Sequence, residues 1–310
     1  MCDIVGTDTM YSEDVFELLT QSLGGFTHIV SSREGLFGLS LAGVMKIAEG
    51  RFFGLTVYDQ AIYCFEALGP ISTFWPHRGR IVRLQVNYGR IVSAEVVVKG
   101  LPNGCHQIDF IGKNLFICDT YNSRLFIIAE DFLSYSSFLP WGEIGFQDFV
   151  SGYPHVNSVV GFEGGTYLML HRCSQRTGLK SQLVRWFRES GHVAVAKTID
   201  GYSCHNIVFT EGGSLLTCDS DRGALSDGVR CIVTIGKMYT RGLSVDSEFV
   251  VVGCSLFSRR DSRSTTVGNV CFLDREYREV TRFVLPAATT DIRKIDGRDL
   301  SLTNSRLRKP

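Results

Sequence analysis

The sequence predicts an all-β fold, a six-bladed β-propeller, and three observations carry that expectation. Short β-branched and aromatic runs dominate the chain, turns rich in Gly, Asn, Asp and Ser separate them, and one strand pattern recurs at a blade-like interval. The 32 glycines and 7 prolines among 310 residues suit a chain with that many tight turns.

The elements follow in order. Residues 1–25 read as a helical or irregular extension, because Ser12-Glu13-Asp14 offers an N-cap and an acidic first turn ahead of Val15, Phe16, Leu18 and Leu19. Residues 26–30 and 35–41 read as the first strands. A first unit is expected from 44–48, 52–57 and 62–66, with 91–98 as its outer strand.

The repeat then becomes plain: a polar residue opens an apolar strand, a Gly-containing turn follows, and a second apolar strand ends in a polar residue. It reads Cys105-His106-Gln107-Ile108-Asp109-Phe110 with a second strand ending at Asp119. The next copies are His155-Val156-Asn157-Ser158 ending at His171, and Cys204-His205-Asn206-Ile207 ending at Asp219. A fainter copy opens Thr240-Arg241-Gly242-Leu243 and closes at Ser255.

His106, His155, His205 and Arg241 are spaced 49, 50 and 36 residues apart, as blades require. Residues 26–41 and 291–295 are each too short for a blade, but joined they make a sixth, closed by strands from both ends of the chain. Five blades is the alternative if those strands are extra. One propeller domain is therefore expected over 26–300, with 301–310, which holds Arg306, Arg308 and Lys309, as a basic tail.

In a propeller the first strand of each blade is innermost, and its start shares one rim with the end of the second strand. His106, His155, His205 and Arg241 open first strands, and Asp119, His171, Asp219 and Ser255 close second strands, so one funnel collects them. Three imidazoles from successive blades suit a divalent transition metal such as Zn, Fe, Cu, Ni or Mn, and three protein ligands leave positions open for water or substrate. Arg241 would hold a carboxylate or phosphate in bidentate fashion, and the run at Arg259 would overhang the funnel as a lid for an anion. Asp119, Asp219 and His171 are the candidates for moving protons.

Plainer readings stand beside these. The histidines could each bond backbone at the channel, Arg241 could pair with Asp291, and the Arg259 run could be a solvated loop. Asn122, Arg124 and Asp221 read as turn residues, Cys105 and Cys204 as packed thiols, and His28, His77 and His192 hold no repeat position.

Charge and composition exclude other classes. Lys plus Arg and Asp plus Glu are both 32, so no field favours nucleic acid or an anionic membrane. No apolar run is long enough to span a membrane, the N-terminus does not read as a signal peptide, and the 10 cysteines form no CxxC framework. A cytoplasmic protein with buried thiols and a small-molecule substrate is expected, and nothing sets its oligomeric state. Walker, Rossmann, Gly-x-Ser-x-Gly and His-Glu-x-x-His motifs are absent from the sequence.

The segment Cys118-Asp119-Thr120-Tyr121-Asn122-Ser123-Arg124-Leu125 resembles an NHL-type propeller repeat, distantly akin to SMP-30-like propellers. The ordered words Cys105-His106-Gln107, Pro154-His155-Val156-Asn157, Cys204-His205-Asn206 and Thr240-Arg241-Gly242-Leu243 resemble a family of soluble bacterial His-containing propellers grouped as a domain of unknown function. The likeness spans about 26–300. It departs at Gln107, where it implies an acidic residue, and at Asn206, where it implies Ser-Pro. It implies the fold and the rim residues, and names no reaction.

Two functions follow. The first is a metal-dependent enzyme on a small polar, anionic substrate, with lyase, hydrolase, isomerase and oxygen chemistry all open. The second is a non-catalytic propeller that binds a small ligand or a protein partner.

Overall fold

Apolar alternation between turns builds twenty-four strands in six four-stranded antiparallel sheets among the described residues, which in this computed structural model are 16–69, 78–140, 153–172, 177–236, 239–256 and 266–303. The chain begins in the closing blade with β1 (His28–Ser32), β2 (Gly35–Ser40) and β3 (Gly43–Ala48). The first blade is β4 (Phe52–Tyr58), β5 (Ala61–Ala67), β6 (Gly79–Asn87) and β7 (Arg90–Leu101). The second is β8 (Cys105–Ile111), β9 (Asn114–Asp119), β10 (Arg124–Ile128) and β11 (Tyr135–Phe138). The third is β12 (Val156–Phe162), β13 (Gly165–Leu170), β14 (Gln182–Phe187) and β15 (His192–Thr198).

The fourth is β16 (His205–Phe209), β17 (Leu215–Asp219), β18 (Ala224–Ser226) and β19 (Cys231–Thr234). The fifth is β20 (Tyr239–Val245), β21 (Val250–Ser255), β22 (Gly268–Leu273) and β23 (Glu279–Leu285). Finally β24 (Thr289–Lys294) pairs with β1, so the closing blade joins both ends of the chain as the repeat predicts. The inner strands β4, β8, β12, β16, β20 and β24 each touch the next around a ring.

The apolar core is not central. Among the described residues six buried clusters form, one at each seam between neighbouring blades, while the inner strands turn polar residues such as Thr56, Asp109, Ser158 and Asp291 inward. At about 25 cal/mol per Å² of buried apolar surface, the seams supply the stability and leave the channel free for polar chemistry. Cys105 and Cys204 are buried in two of these seams, and burial pushes both thiols up, as expected of packed cysteines.

Two expectations need correction, and a third, the helical or irregular start, is narrowed to irregular. Residues 44–48 belong to the closing blade as β3, not to the first, whose third strand is β6. Either blade would accept so apolar a run, and pairing with β2 decides it. Residues 16–19 form no helix: Leu19 N bonds Ile47 O at 2.8 Å and Ile91 N bonds Gln21 O at 2.8 Å, so the segment runs between β3 and β7. Residues 12–14 lie outside the described residues.

The start of the expected tail is not solvated. Leu302 is buried in the seam between the closing and first blades. Thr303 donates from N and Oγ1 to Asp109 Oδ2 at 3.0 and 2.7 Å, and its Oγ1 accepts from Gly161 N at 2.7 Å. Asp299 accepts from Ser244 Oγ at 2.8 Å. The segment therefore crosses the far end of the channel, away from the rim that carries the histidines.

Candidate functional site

Every inner strand slips register close to its start. The breaks fall between Phe52 and Leu55, Cys105 and Ile108, Val156 and Ser158, His205 and Val208, and Thr240 and Leu243, while Thr290 is passed over in the closing blade. Such β-bulges re-aim side chains, so consecutive residues share a face where strict alternation would separate them. His155 (φ 51°) and Asn206 (φ 59°) are left-handed, a conformation that His and Asn tolerate better than most residues. The result is a small cavity of about 10 Å³, room for about one water molecule, lined by His106, His205 and Arg241 with Gln107, Asn157, Ser158, Asn206, Thr290 and Asp291.

The polar residues beside the histidines stitch the blades together. Gln107 Oε1 accepts from Val159 N at 3.0 Å, and Asn157 Nδ2 donates to Cys204 O at 2.9 Å. Ser158 Oγ accepts from Asn206 N at 2.9 Å, Asn206 Oδ1 from Gly242 N at 2.9 Å, and Asp291 Oδ2 from Leu55 N at 3.0 Å. The channel backbone is thus satisfied largely by residues other than the repeated histidines.

The rings form an arc around the mouth. His106 stacks on Phe53 with centroids 6.0 Å apart, His106 and His155 are 5.8 Å apart, His155 and His171 4.4 Å, His171 and His205 4.9 Å, and His205 and Tyr239 5.6 Å. His171 Nε2 is also 3.3 Å from Tyr239 Oη. The four imidazoles do meet at one rim, and His171 stands between His155 and His205. Among the described residues, however, no group of three or more His, Cys, Asp or Glu side chains is placed to hold a metal ion.

Hydrogen bonding fixes one tautomer. His205 Nδ1 lies 2.8 Å from both Ser203 O and Ser220 Oγ, and Ser220 Oγ spends its own proton on Thr240 O at 2.6 Å. Nδ1 therefore carries the proton and Nε2 keeps the lone pair. His106 Nδ1 is buried with no hydrogen-bond partner. Burial, and then the Arg241 cation, hold both imidazoles well below the ordinary histidine range, so they are neutral at pH 7.

Asp291 forms the floor. Its Oδ1 accepts from Arg293 Nη1 at 2.7 Å and Asn206 Nδ2 at 3.3 Å, and burial raises its pKa. The Arg241 cation is a smaller influence on that balance, and Asp291's close ion pair is with Arg293.

The other sequence candidates are placed as follows. Asp119 is fully buried, and its Oδ2 accepts from Arg124 at 2.7 and 3.0 Å and from Asn122 at 2.8 Å. Asp219 accepts from Tyr202 N and Arg222 Nη1, both at 3.2 Å, and burial raises its pKa. Neither carboxylate lines the cavity, and both brace the turns after their own strands. Arg259 and the run around it lie outside the described residues, as does His77. His28 is buried edge-on against Phe272 and held near pKa 4 by burial, and His192 stacks on Phe187 at the surface.

Two residues at the mouth escaped the sequence reading. Phe53 holds the place in its blade that His106 holds in the next, as aligning Phe52-Phe53-Gly54-Leu55 with Cys105-His106-Gln107-Ile108 would have shown. Arg33, on the β1–β2 turn, places its guanidinium 5.6 Å over the Phe53 ring and depresses the His106 pKa in concert with Arg241.

No family model and no curated protein matches the chain. Among solved structures, a chain in the crystal structure of a nidogen/laminin complex superposes with a TM-score of 0.61 at 11% identity, over 87% of this chain and 98% of that one. A calcium-binding protein, regucalcin, from Agrobacterium tumefaciens gives a TM-score of 0.49 at 13% identity, over 88% and 79%. The likeness is one of fold, and the fold is the six-bladed propeller. No helix among the described residues is long and apolar enough to cross a membrane.

Proposed function

We propose that the protein takes a small polar anion at its channel mouth and acts on it there, with Arg241 as the anchor. The observation that carries this reading is that Arg241 and two neutral imidazoles line one cavity while neighbouring residues do the structural stitching. A guanidinium offers paired donors to a carboxylate or phosphate, and in a partly dry cavity each such bond strengthens. His205, with Nδ1–H fixed, presents Nε2 as an acceptor or general base, and the pKa that keeps it neutral would rise once an anion offsets Arg241.

The metal-dependent form of this reading would seat a divalent transition metal on His106, His155 and His205. Neutral imidazoles are suitable donors, but their present placement does not form the site, so no step runs through a metal. A metal analysis of purified protein addresses it: about one equivalent, lost in a His106→Ala, His155→Ala double variant, supports it, and a negligible content removes it.

A second reading, a non-catalytic binding propeller, is favoured by one observation. Among the described residues, the one carboxylate lining the cavity, Asp291, is tied to Arg293, and Asp119 and Asp219 are tied to Arg124 and Arg222. Calorimetric titration with acetate and inorganic phosphate tests the shared core of both readings. Binding weakened at least about tenfold in Arg241→Ala supports it, whereas equal binding by the variant, or none by the parent, refutes it. Conversion of a bound compound that ceases in His205→Gln with affinity kept would favour the enzyme.

A further inference from the structure

Arg172 follows His171 where the second strand of the third blade ends, and its backbone N bonds Pro154 O at 3.2 Å. The matching position one blade on is Ser220, whose hydroxyl contacts His205 Nδ1 and Thr240 O. That position faces the seam between the opening residues of two successive blades. A serine meets its structural needs, so the fold does not demand a guanidinium there.

The guanidinium of Arg172 is also unspent. Its Nε is buried with no hydrogen-bond partner, and its side chain makes no hydrogen bond or ion pair among the described residues. Burial is the one influence on its pKa, and it lowers it. Other arginines here contrast with it: Arg124 is held by Asp119, Arg222 by Asp219, Arg282 by Glu279 and Arg293 by Asp291. A half-buried cation with a buried, unmet N–H is costly to keep unless something completes it.

The contacts of His171, the residue before it, set the Arg172 backbone on the same stretch of rim as the cavity. The His171 ring is 4.9 Å from that of His205, and His171 Nε2 is 3.3 Å from the hydroxyl of Tyr239, two residues before Arg241. Building on the anion site at Arg241, we propose that Arg172 is a second anion-binding residue of the mouth. The ligand is then a small molecule with two separated acidic groups, a dicarboxylate or a phosphorylated carboxylate, one group for each guanidinium.

The test is calorimetric titration of the full chain with acetate, malonate, succinate and 2-phosphoglycolate. At least one two-acid probe binds about tenfold or more tighter than acetate, Arg172→Gln removes that advantage while acetate binding stays unchanged, and Arg172→Lys restores part of it. Thermal melting of both variants confirms that they fold. Acetate binding without any two-acid preference, or a preference that survives in Arg172→Gln, overturns this inference and leaves the Arg241 site standing. A parent protein silent to all four probes overturns both.

Discussion

Replacing Asp109 with Asn tests how the far end of the channel is held. The carboxyl is fully buried and accepts from Thr56 Oγ1 at 2.9 Å and from Thr303 N and Oγ1 at 3.0 and 2.7 Å. Burial outweighs those bonds and raises its pKa from 3.8 to about 6. Ionising it in the folded state therefore costs about 3 kcal/mol relative to the unfolded chain. The sign follows from proton binding: between pH 4 and 6 the folded state keeps a proton that the unfolded state has lost, so this group's contribution falls as pH rises and is flat above.

Asn keeps the acceptor for Thr303 and carries no charge. Urea unfolding of parent and Asp109→Asn from pH 4 to pH 8 should give nearly equal stabilities at the acid end. Above pH 7 the variant should be the more stable, by up to about 3 kcal/mol. A difference that is constant with pH, or that favours the parent as pH rises, would refute the reasoning.

Two further outcomes bear on the mouth. Asn206→Ala strips the partner from Gly242 N, removes one of the donors to Asp291 Oδ1 and places Ala at a left-handed φ, so it should cost about 3 kcal/mol in urea unfolding, and a loss under 1 kcal/mol would show that the seam does not depend on it. In Gly54→Ala the new Cβ would sit 2.4 Å from His106 O, forcing the first and second blades apart; a loss of at least about 2 kcal/mol, with weaker anion binding, is expected in melting and calorimetry.

The repeat made much of this legible. Blade order and the composite closing blade follow from the recurring strand pattern and from histidines spaced like blades. The assignment of 44–48 failed because the first blade's long link to β6 breaks the period and left that blade short of a strand. The bulges could not be read, since a register slip leaves no mark on alternating apolar residues. They are why Gln107, Asn157 and Asn206, one or two places from a rim histidine or its equivalent, reach the next blade. Arg172 stood in plain view, but its isolation is a fact of three dimensions. Asp119 and Asp219 close second strands, as the repeat predicts; what the sequence does not show is that Arg124 and Arg222 hold them off the cavity.

The central claim is that Arg241 anchors an anion at the channel mouth. A crystal structure of the protein soaked with malonate tests it most directly. The account predicts the anion in the cavity beside His106 and His205, with a carboxylate within about 3 Å of the Arg241 guanidinium. An empty cavity at saturating malonate, or an anion bound there without contact to Arg241, would contradict it.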